Sequence, residues 1–133
     1  MLTFEICCLA WVLVLAVVQI LLPVAVKTGQ FGLKWSMSAR DDAPAAMSPL
    51  AARLTRAQAN LFETLPLFIA AILIATVAGR TGQLTYWGAL LFLVARVAYV
   101  PIYAAGISVL RTLVWFVSMA GLVMVLAAIL MPQ

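Results

Sequence analysis

Four long apolar stretches alternate with short polar segments along the chain. They cover residues 6–26, 59–78, 84–104 and 109–131. Each reaches the roughly 20 residues that a helix needs to cross the hydrocarbon core of a bilayer. Because backbone groups in lipid must be hydrogen-bonded within their own segment, these stretches predict helices. The pattern therefore predicts an all-α integral membrane protein, a bundle of four helices arranged up-down-up-down in a single domain.

The residues that flank these stretches indicate where the helices begin and end. Ser48 followed by Pro49 is typical of an N-cap and a first helical position, and Ser108 is expected to cap the last helix. The expected helices span residues 5–26, 49–78, 84–104 and 109–131. The segment 27–48 lacks apolar periodicity, so we expect a cytoplasmic loop there, either a functional flap or a linker.

One polar cluster interrupts the start of the second predicted helix. Its members are Arg53, Arg56, Asn60 and Glu63. At 100° per residue these four positions fall within an arc of about 80°. Ionisable groups within a membrane segment are functional by default, so this face predicts a binding or catalytic site. The alternative is a helix that crosses the headgroup layer, with its arginines on lipid phosphates and Glu63 paired to Arg56 or Asn60.

A second polar group closes the third apolar stretch and opens the fourth. Arg96, Tyr99 and Tyr103 share one helix face at i, i+3 and i+7. Arg96 lies about 12 Å inside the helix end, too deep for a simple snorkelling anchor. Arg111 opposes the dipole of the last helix, so either the positive-inside rule or an anionic ligand accounts for it. The tyrosines have an alternative role as an interfacial aromatic belt, above all Tyr103.

Composition and charge favour the membrane class and a defined orientation. The 133-residue chain is 67% hydrophobic and 9% charged, whereas soluble domains are about 25% charged. The basic residues expected on one side of the membrane are Lys27, Lys34, Arg40, Arg53, Arg56 and Arg111. Only Arg80 lies on the other side, so that first side is expected in the cytoplasm and both termini outside. The compact loops favour a bacterial inner membrane. The net charge of +4 therefore reflects topology and does not indicate nucleic-acid binding.

The chain has no histidine and no cluster of acidic residues at metal-ligand spacing. We therefore expect no metal site and no histidine-based acid–base catalysis. Cys7 and Cys8 are adjacent, and because neighbouring cysteines rarely form a bridge, both are expected to pack as small apolar residues. Gln19 is expected to hydrogen-bond to a neighbouring helix.

The polar positions resemble the signature of the MAPEG family, the membrane-associated proteins of eicosanoid and glutathione metabolism. The second helix of that family carries Arg-Ala-x-x-Asn-x-x-Glu followed by Pro-x-Phe. Here these motifs read as residues Arg56–Glu63 and Pro66–Phe68. A second family feature is an arginine with aromatic residues closing helix 3 and an arginine opening helix 4, matched here by Arg96, Tyr99, Tyr103 and Arg111. The length and the four-helix layout fit over the whole chain.

This resemblance implies a homotrimer that binds glutathione as a cosubstrate between neighbouring subunits. The residues expected to hold glutathione are Arg56, Asn60, Glu63, Arg96, Tyr99 and Tyr103. Arg111 is the nearest match to the arginine that activates the thiol in this family, so it is the expected catalytic residue. Its spacing from Tyr103 is not constant among family members. Thr64 departs from the tyrosine that several members have after the glutamate, which removes one expected contact. The pair Arg40-Asp41 is similar to one in bacterial members.

Small residues on the second helix also favour an oligomer, because they allow helices to approach closely in lipid. They are Ala70, Ala71, Ala75 and Ala78.

The chemistry of glutathione agrees with the residue types in the two polar groups. Glutathione has two carboxylates, one ammonium and a thiol, so its site needs several arginines and one acid. We therefore expect a membrane glutathione transferase or peroxidase that acts on lipophilic electrophiles or hydroperoxides from the bilayer. The alternative is a non-catalytic MAPEG-like protein that binds a lipid or a partner in the inter-subunit groove. An exporter of cationic drugs is disfavoured, because Glu5 lies too near a helix end to serve in mid-membrane.

Overall fold

The computed structural model describes residues 1–41 and 46–132. Across these residues the chain is helical, with no strand, and its helices are α1 (Phe4–Phe31), α2 (Leu33–Ser36), α3 (Pro49–Val77), α4 (Gln83–Ala104) and α5 (Ser108–Leu130). All except the short α2 are long and apolar enough to cross a membrane. The predicted fold class is confirmed: the protein is an all-α, multi-pass integral membrane protein built as a four-helix bundle.

The four long helices run antiparallel to their neighbours in sequence, and α4 contacts all three others. The turn between α4 and α5 lies at the same end of the bundle as the start of α3. A hydrogen bond joins the two there, from the Arg53 guanidinium to the Ala104 carbonyl oxygen at 3.2 Å. We call this the cleft end. The start of α1 and the turn between α3 and α4 lie at the opposite end, where the Thr85 hydroxyl donates to the buried Glu5 carboxylate at 2.6 Å.

Helix starts follow the local sequence at α3 but not at α5. The Ser48 hydroxyl accepts a hydrogen bond from the Ala51 backbone N–H at 3.2 Å, and Pro49 is the first helical residue. This N-cap satisfies one of the free N–H groups that every helix start exposes. At α5 the N-cap residue is Ile107, which makes no side-chain cap, and Ser108 lies inside the helix. The predicted Ser108 cap is therefore wrong.

The segment expected to form a loop over residues 27–48 is partly helical. α1 continues to Phe31 and stops at Gly32, whose φ of 91° suits glycine, and the short α2 follows directly. The Gln30 side chain ties this region to the start of α3, donating to the Ala46 carbonyl at 2.9 Å and accepting from the Ser48 N–H at 2.8 Å. Residues 42–45 of the expected loop lie outside the described part of the chain.

The apolar core fills the middle of the bundle. The rings of Phe68 on α3 and Phe92 on α4 stack at 4.0 Å between centroids. One turn before Phe92 on α4, a Cβ atom added to Gly88 would lie 2.7 Å from the Gly121 carbonyl oxygen, so the backbones of α4 and α5 touch there. Only glycine permits this approach at both positions.

Two expectations about packing are wrong. Ala71 and Ala75 are 1% and 0% exposed within a single protomer, so they pack inside the bundle and leave only Ala70 and Ala78 for a neighbour. Gln19 is 2% exposed, and its amide nitrogen has no hydrogen-bond partner among the described residues. The expected bond from Gln19 to a neighbouring helix is therefore not formed.

Candidate functional site

A cleft of about 380 Å³ opens between α3, α4 and α5 at the cleft end. It is lined by Arg56, Ala59, Asn60, Glu63, Tyr99, Tyr103, Arg111, Thr112 and Trp115. Six of the seven residues singled out from the sequence are in this lining. Since they come from three different helices, the helix packing is what gathers them into one site.

The α3 wall of the cleft is the polar face predicted from helical spacing. Arg56, Asn60 and Glu63 follow one another at i, i+4 and i+7, which places them on one side of the helix. Arg56 and Glu63 are exposed in the protomer, and Glu63 makes no ion pair within the described part of the chain. The alternative in which Glu63 is merely paired to Arg56 or Asn60 is therefore not what the structure has.

Tyr103 on α4 is the meeting point of the three helices. Its hydroxyl accepts a hydrogen bond from the Nε of Arg56 on α3 at 3.1 Å. The Arg111 guanidinium of α5 lies over its ring at 4.8 Å from the centroid, within the range of a cation–π contact. Tyr99, one turn earlier, meets the Tyr103 ring edge to face at 5.4 Å. Tyr103 is thus buried between two arginines, with its hydroxyl bonded to one and its ring beneath the other.

Arg96 lies behind the cleft and is absent from its lining, although we grouped it with the binding residues. It is 1% exposed. Its Nη1 donates to the Asn60 side-chain oxygen at 2.6 Å, and its Nη2 donates to the Thr64 hydroxyl at 2.8 Å. Among the residues that line the cleft, Arg96 therefore hydrogen-bonds only to Asn60, and its guanidinium also lies over the Tyr99 ring at 5.3 Å from the centroid.

Two side chains of the α5 wall were not identified from the sequence. Thr112 and Trp115 complete the α5 wall, and the Trp115 indole N–H is buried without a partner among the described residues. The spacing of Trp115 four residues after Arg111 was the available signal, since such residues share a helix face. Arg53, which belongs to the polar cluster predicted at the start of α3, does not line the cleft itself but a smaller cavity of about 170 Å³ that shares Arg56, Tyr103 and Arg111 with it.

The charges of the cleft suit a ligand that carries more negative than positive groups. Arg56 and Arg111 face it with Glu63 as the one acid among its lining residues. Arg111 is in the first turn of α5, where the helix dipole also favours an anion. Nowhere among the described residues do three or more His, Cys, Asp or Glu side chains gather into a possible metal site.

Comparison with known proteins agrees with the arrangement of this cleft. The model of the MAPEG family matches residues 8–131 of the 133-residue chain. Neither the curated proteins nor the solved structures contain a significant match. The matched range holds all the residues that line the cleft and spans nearly all of the four-helix bundle, so the protein belongs to the MAPEG family.

Proposed function

We propose that this protein binds glutathione in the cleft and activates its thiol for attack on a lipophilic electrophile or hydroperoxide. Membership of the MAPEG family supports an activity of this general kind. The observation that carries the proposal is the lining of the cleft, which sets two arginines, one glutamate, one asparagine and two tyrosines around a volume of about 380 Å³. That volume lies within the roughly 300–1,000 Å³ typical of small-molecule sites.

The charges of glutathione are complementary to those of the cleft. Its two carboxylates suit Arg56 and the other donors of the site, because a guanidinium binds a carboxylate with two parallel hydrogen bonds. Its ammonium suits Glu63, which is exposed and has no ion pair in the described chain. The acid that remains free in the protomer thus has a partner in the proposed ligand.

Arg111 is the residue proposed to activate the thiol. Only the thiolate is a strong nucleophile, and a free cysteine thiol has a pKa of about 8.5. A guanidinium next to the sulfur favours the charged form and lowers the pKa of the glutathione thiol. The thiol proton passes to solvent, and the thiolate attacks an electrophilic carbon to form a thioether, either expelling the leaving group of that carbon as an anion or adding to an activated double bond that then takes up a proton. With a hydroperoxide, the thiolate attacks the terminal oxygen, the O–O bond breaks to release the alcohol after protonation, and the sulfenic acid formed on the sulfur reacts with a second glutathione to give glutathione disulfide and water.

We also propose that the protein is a homotrimer, with the open side of the cleft closed by a neighbouring subunit. Arg56 and Glu63 are exposed in a single protomer although they line the cleft. Of the four membrane helices, α1 and α5 bury the smallest part of their apolar surface, which leaves area for lipid and for neighbouring subunits. Measuring the mass of the complex in mild detergent tests this, and a monomer that still binds glutathione fully would contradict an inter-subunit site.

The orientation that we propose places the cleft end on the cytoplasmic side and both termini outside. The basic residues near the cleft end support it, since the positive-inside rule places such residues in the cytoplasm. Labelling of Ile107→Cys with a membrane-impermeant thiol reagent tests it, in a chain whose free Cys7 and Cys8 are first replaced by alanine so that only position 107 can react. Labelling from the periplasmic side would reverse the proposed orientation.

The decisive experiment is a titration of the purified protein with glutathione, followed by the ultraviolet absorbance of the thiolate. Saturable binding with thiolate formation at neutral pH is the expected result. The alternative, a lipid binder without catalysis, is favoured by an apolar groove of about 660 Å³ between α1 and α4, whose walls include Trp11, Val97 and Pro101. Binding of lipid without any binding of glutathione would support that alternative and overturn the enzyme.

A further inference from the structure

Behind the cleft, three side chains form a continuous hydrogen-bonded chain from Thr64 through Arg96 to Asn60. The Arg96 guanidinium donates to both of the others, at 2.6 Å to Asn60 and at 2.8 Å to Thr64. The Thr64 hydroxyl in turn donates to the Leu61 carbonyl at 3.1 Å. Arg96 and Thr64 are buried, whereas Asn60 is half-buried and lines the cleft. The chain therefore connects the interior of the bundle to the ligand site at one atom group, the amide of Asn60.

The chemistry of arginine decides which way that amide points. A guanidinium has five N–H donors and no acceptor, so the Asn60 group that faces Arg96 must be its oxygen. The two N–H donors of the amide must then point away from Arg96. They have no partner among the described residues, and Asn60 is in the lining of the cleft. Asn60 thus presents donors to the ligand.

Arg96 itself has little freedom to release Asn60. Besides its two hydrogen bonds, its guanidinium lies 5.3 Å from the centroid of the Tyr99 ring and 5.5 Å from that of Phe92. Both distances are within cation–π range, and desolvation strengthens such contacts. A cation that is 1% exposed would be costly to leave unpaired, so loss of one of these few partners should disturb the others.

We propose that Arg96 is a positioning residue and Thr64 its anchor, and that together they hold the Asn60 amide so that it donates to an acceptor oxygen of the ligand. A peptide carbonyl and a carboxylate have this chemistry. The identity of the ligand as glutathione rests on the function proposed above. Thr64 is turned toward Arg96 rather than the cleft, so its hydroxyl supports the site from behind instead of contacting the ligand.

The substitution Asn60→Asp tests the direction of the amide by the sign of its effect. Aspartate keeps an oxygen toward Arg96 and gains an ion pair, so the protein should fold. Both donors toward the ligand are replaced by a negative oxygen, so glutathione affinity should fall by about tenfold or more. If Asn60 instead accepted a bond from the ligand ammonium or thiol, the affinity of Asn60→Asp would be unchanged or higher, which would overturn the proposal.

Substitutions at Thr64 test the anchor. Thr64→Val removes the acceptor for Arg96 at nearly constant volume and should weaken glutathione binding by about three- to tenfold, whereas Thr64→Ser should retain the affinity. Thr76→Val is the matched control, because Thr76 is also on α3 and its hydroxyl donates only to the Ile72 carbonyl at 2.8 Å. The thiolate fraction of bound glutathione at saturation should stay at the parent level in Thr64→Val. Equal affinities of Thr64→Val and Thr64→Ser would overturn the role of Thr64.

One measurement tests the positioning without any ligand. Asn60 is the only asparagine in the chain, so labelling with ¹⁵N-asparagine gives one pair of side-chain amide resonances. We expect a single sharp pair in the parent and in Thr76→Val, and broadening or a shift toward solvent-exposed values in Thr64→Val. An unchanged pair in Thr64→Val overturns the inference. A parent that shows the expected amide behaviour but binds no glutathione overturns the proposed function alone.

Discussion

The two sides of α4 are held to their neighbours by opposite means. Toward α5 the contact is backbone against backbone at Gly88 and Gly121, with no room for a side chain. Toward α3, at the cleft end, the contact is the charged Arg96 bonded to Asn60 and Thr64. The glycine contact has no group that a ligand can reach, so it contributes to the stability of the helix packing and not to binding. The arginine contact ends on an amide in the cleft, so it ties the helix packing to binding. Substitutions on the two sides should therefore separate stability from affinity.

Gly121→Ala should have the largest effect, and it acts on stability through the packing of α4 against α5. The added Cβ would lie 2.6 Å from the Gly88 carbonyl oxygen and 2.8 Å from the Phe92 backbone nitrogen, so α4 and α5 must move apart. We expect a loss of about 2 to 3 kcal/mol in the free energy of unfolding, as for other overpacked cores. Thermal unfolding in detergent measures it. Gly29→Ala is the matched control, since nothing lies within 4 Å of its added Cβ and alanine is the better helix former. Equal unfolding temperatures would show that the crossing yields freely.

Glu63→Gln should leave the helix packing intact and weaken the binding of glutathione. The ligand ammonium would keep a hydrogen bond but lose its charged partner, which should cost about 1.5 to 3 kcal/mol of glutathione binding free energy. Calorimetric titration measures it, with the unfolding temperature as the control for folding. Since Glu63 is exposed and free of ion pairs in the described chain, that temperature should not change. An unchanged affinity would make Glu63 irrelevant to the ligand.

Arg111→Ala should separate activation from binding. Glutathione should still bind, because its carboxylates are held elsewhere, but the thiol pKa should return toward its free value of about 8.5. Without Arg111 the pKa of the bound thiol is no longer lowered, so a smaller fraction of the glutathione is thiolate at pH 7. This fraction recovers as the pH rises toward about 8.5. Conjugation at pH 7 should decrease by about one to two orders of magnitude, which corresponds to a shift of about one to two pKa units.

Arg111→Lys is the graded control for that experiment. It keeps the charge but loses the planar fork of donors, so its rate should lie between those of the parent and Arg111→Ala. Parent-like turnover of Arg111→Ala at pH 7, or misinsertion of the variant into the membrane, would mean that Arg111 serves topology alone.

Tyr103→Phe should have the smallest effect. The ring that lies under Arg111 remains, and only the hydroxyl that accepts from Arg56 is lost. Removing one such bond at a partly exposed arginine should weaken glutathione binding by about 0.5 to 1.5 kcal/mol. The pH dependence of conjugation should stay that of the parent, because Arg111 is retained. A shifted pH profile would indicate that the Tyr103 hydroxyl itself acts on the thiol.

Local patterns in the chain determined the fold class and most of the cleft. Continuous apolar stretches of sufficient length can only be helices in lipid, and this follows without knowledge of any neighbour. The polar face of Arg56, Asn60 and Glu63 follows from helical spacing in the same way. The extension of α1 past its predicted end at residue 26 was less accessible, because it depends on contacts such as that of Gln30 with the start of α3.

Only the tertiary structure decided which polar groups meet and which only share a helix face. Arg96, Tyr99 and Tyr103 are equivalent by spacing, yet the crossing of α3 and α4 turns the two tyrosines into the cleft and Arg96 away from it. The same holds for Ala71 and Ala75, which the sequence offers to any neighbour and the fold uses internally. Helix periodicity fixes a direction around one axis, whereas a partner is specified by the angle and rotation between two axes, and these depend on side-chain packing along the whole contact.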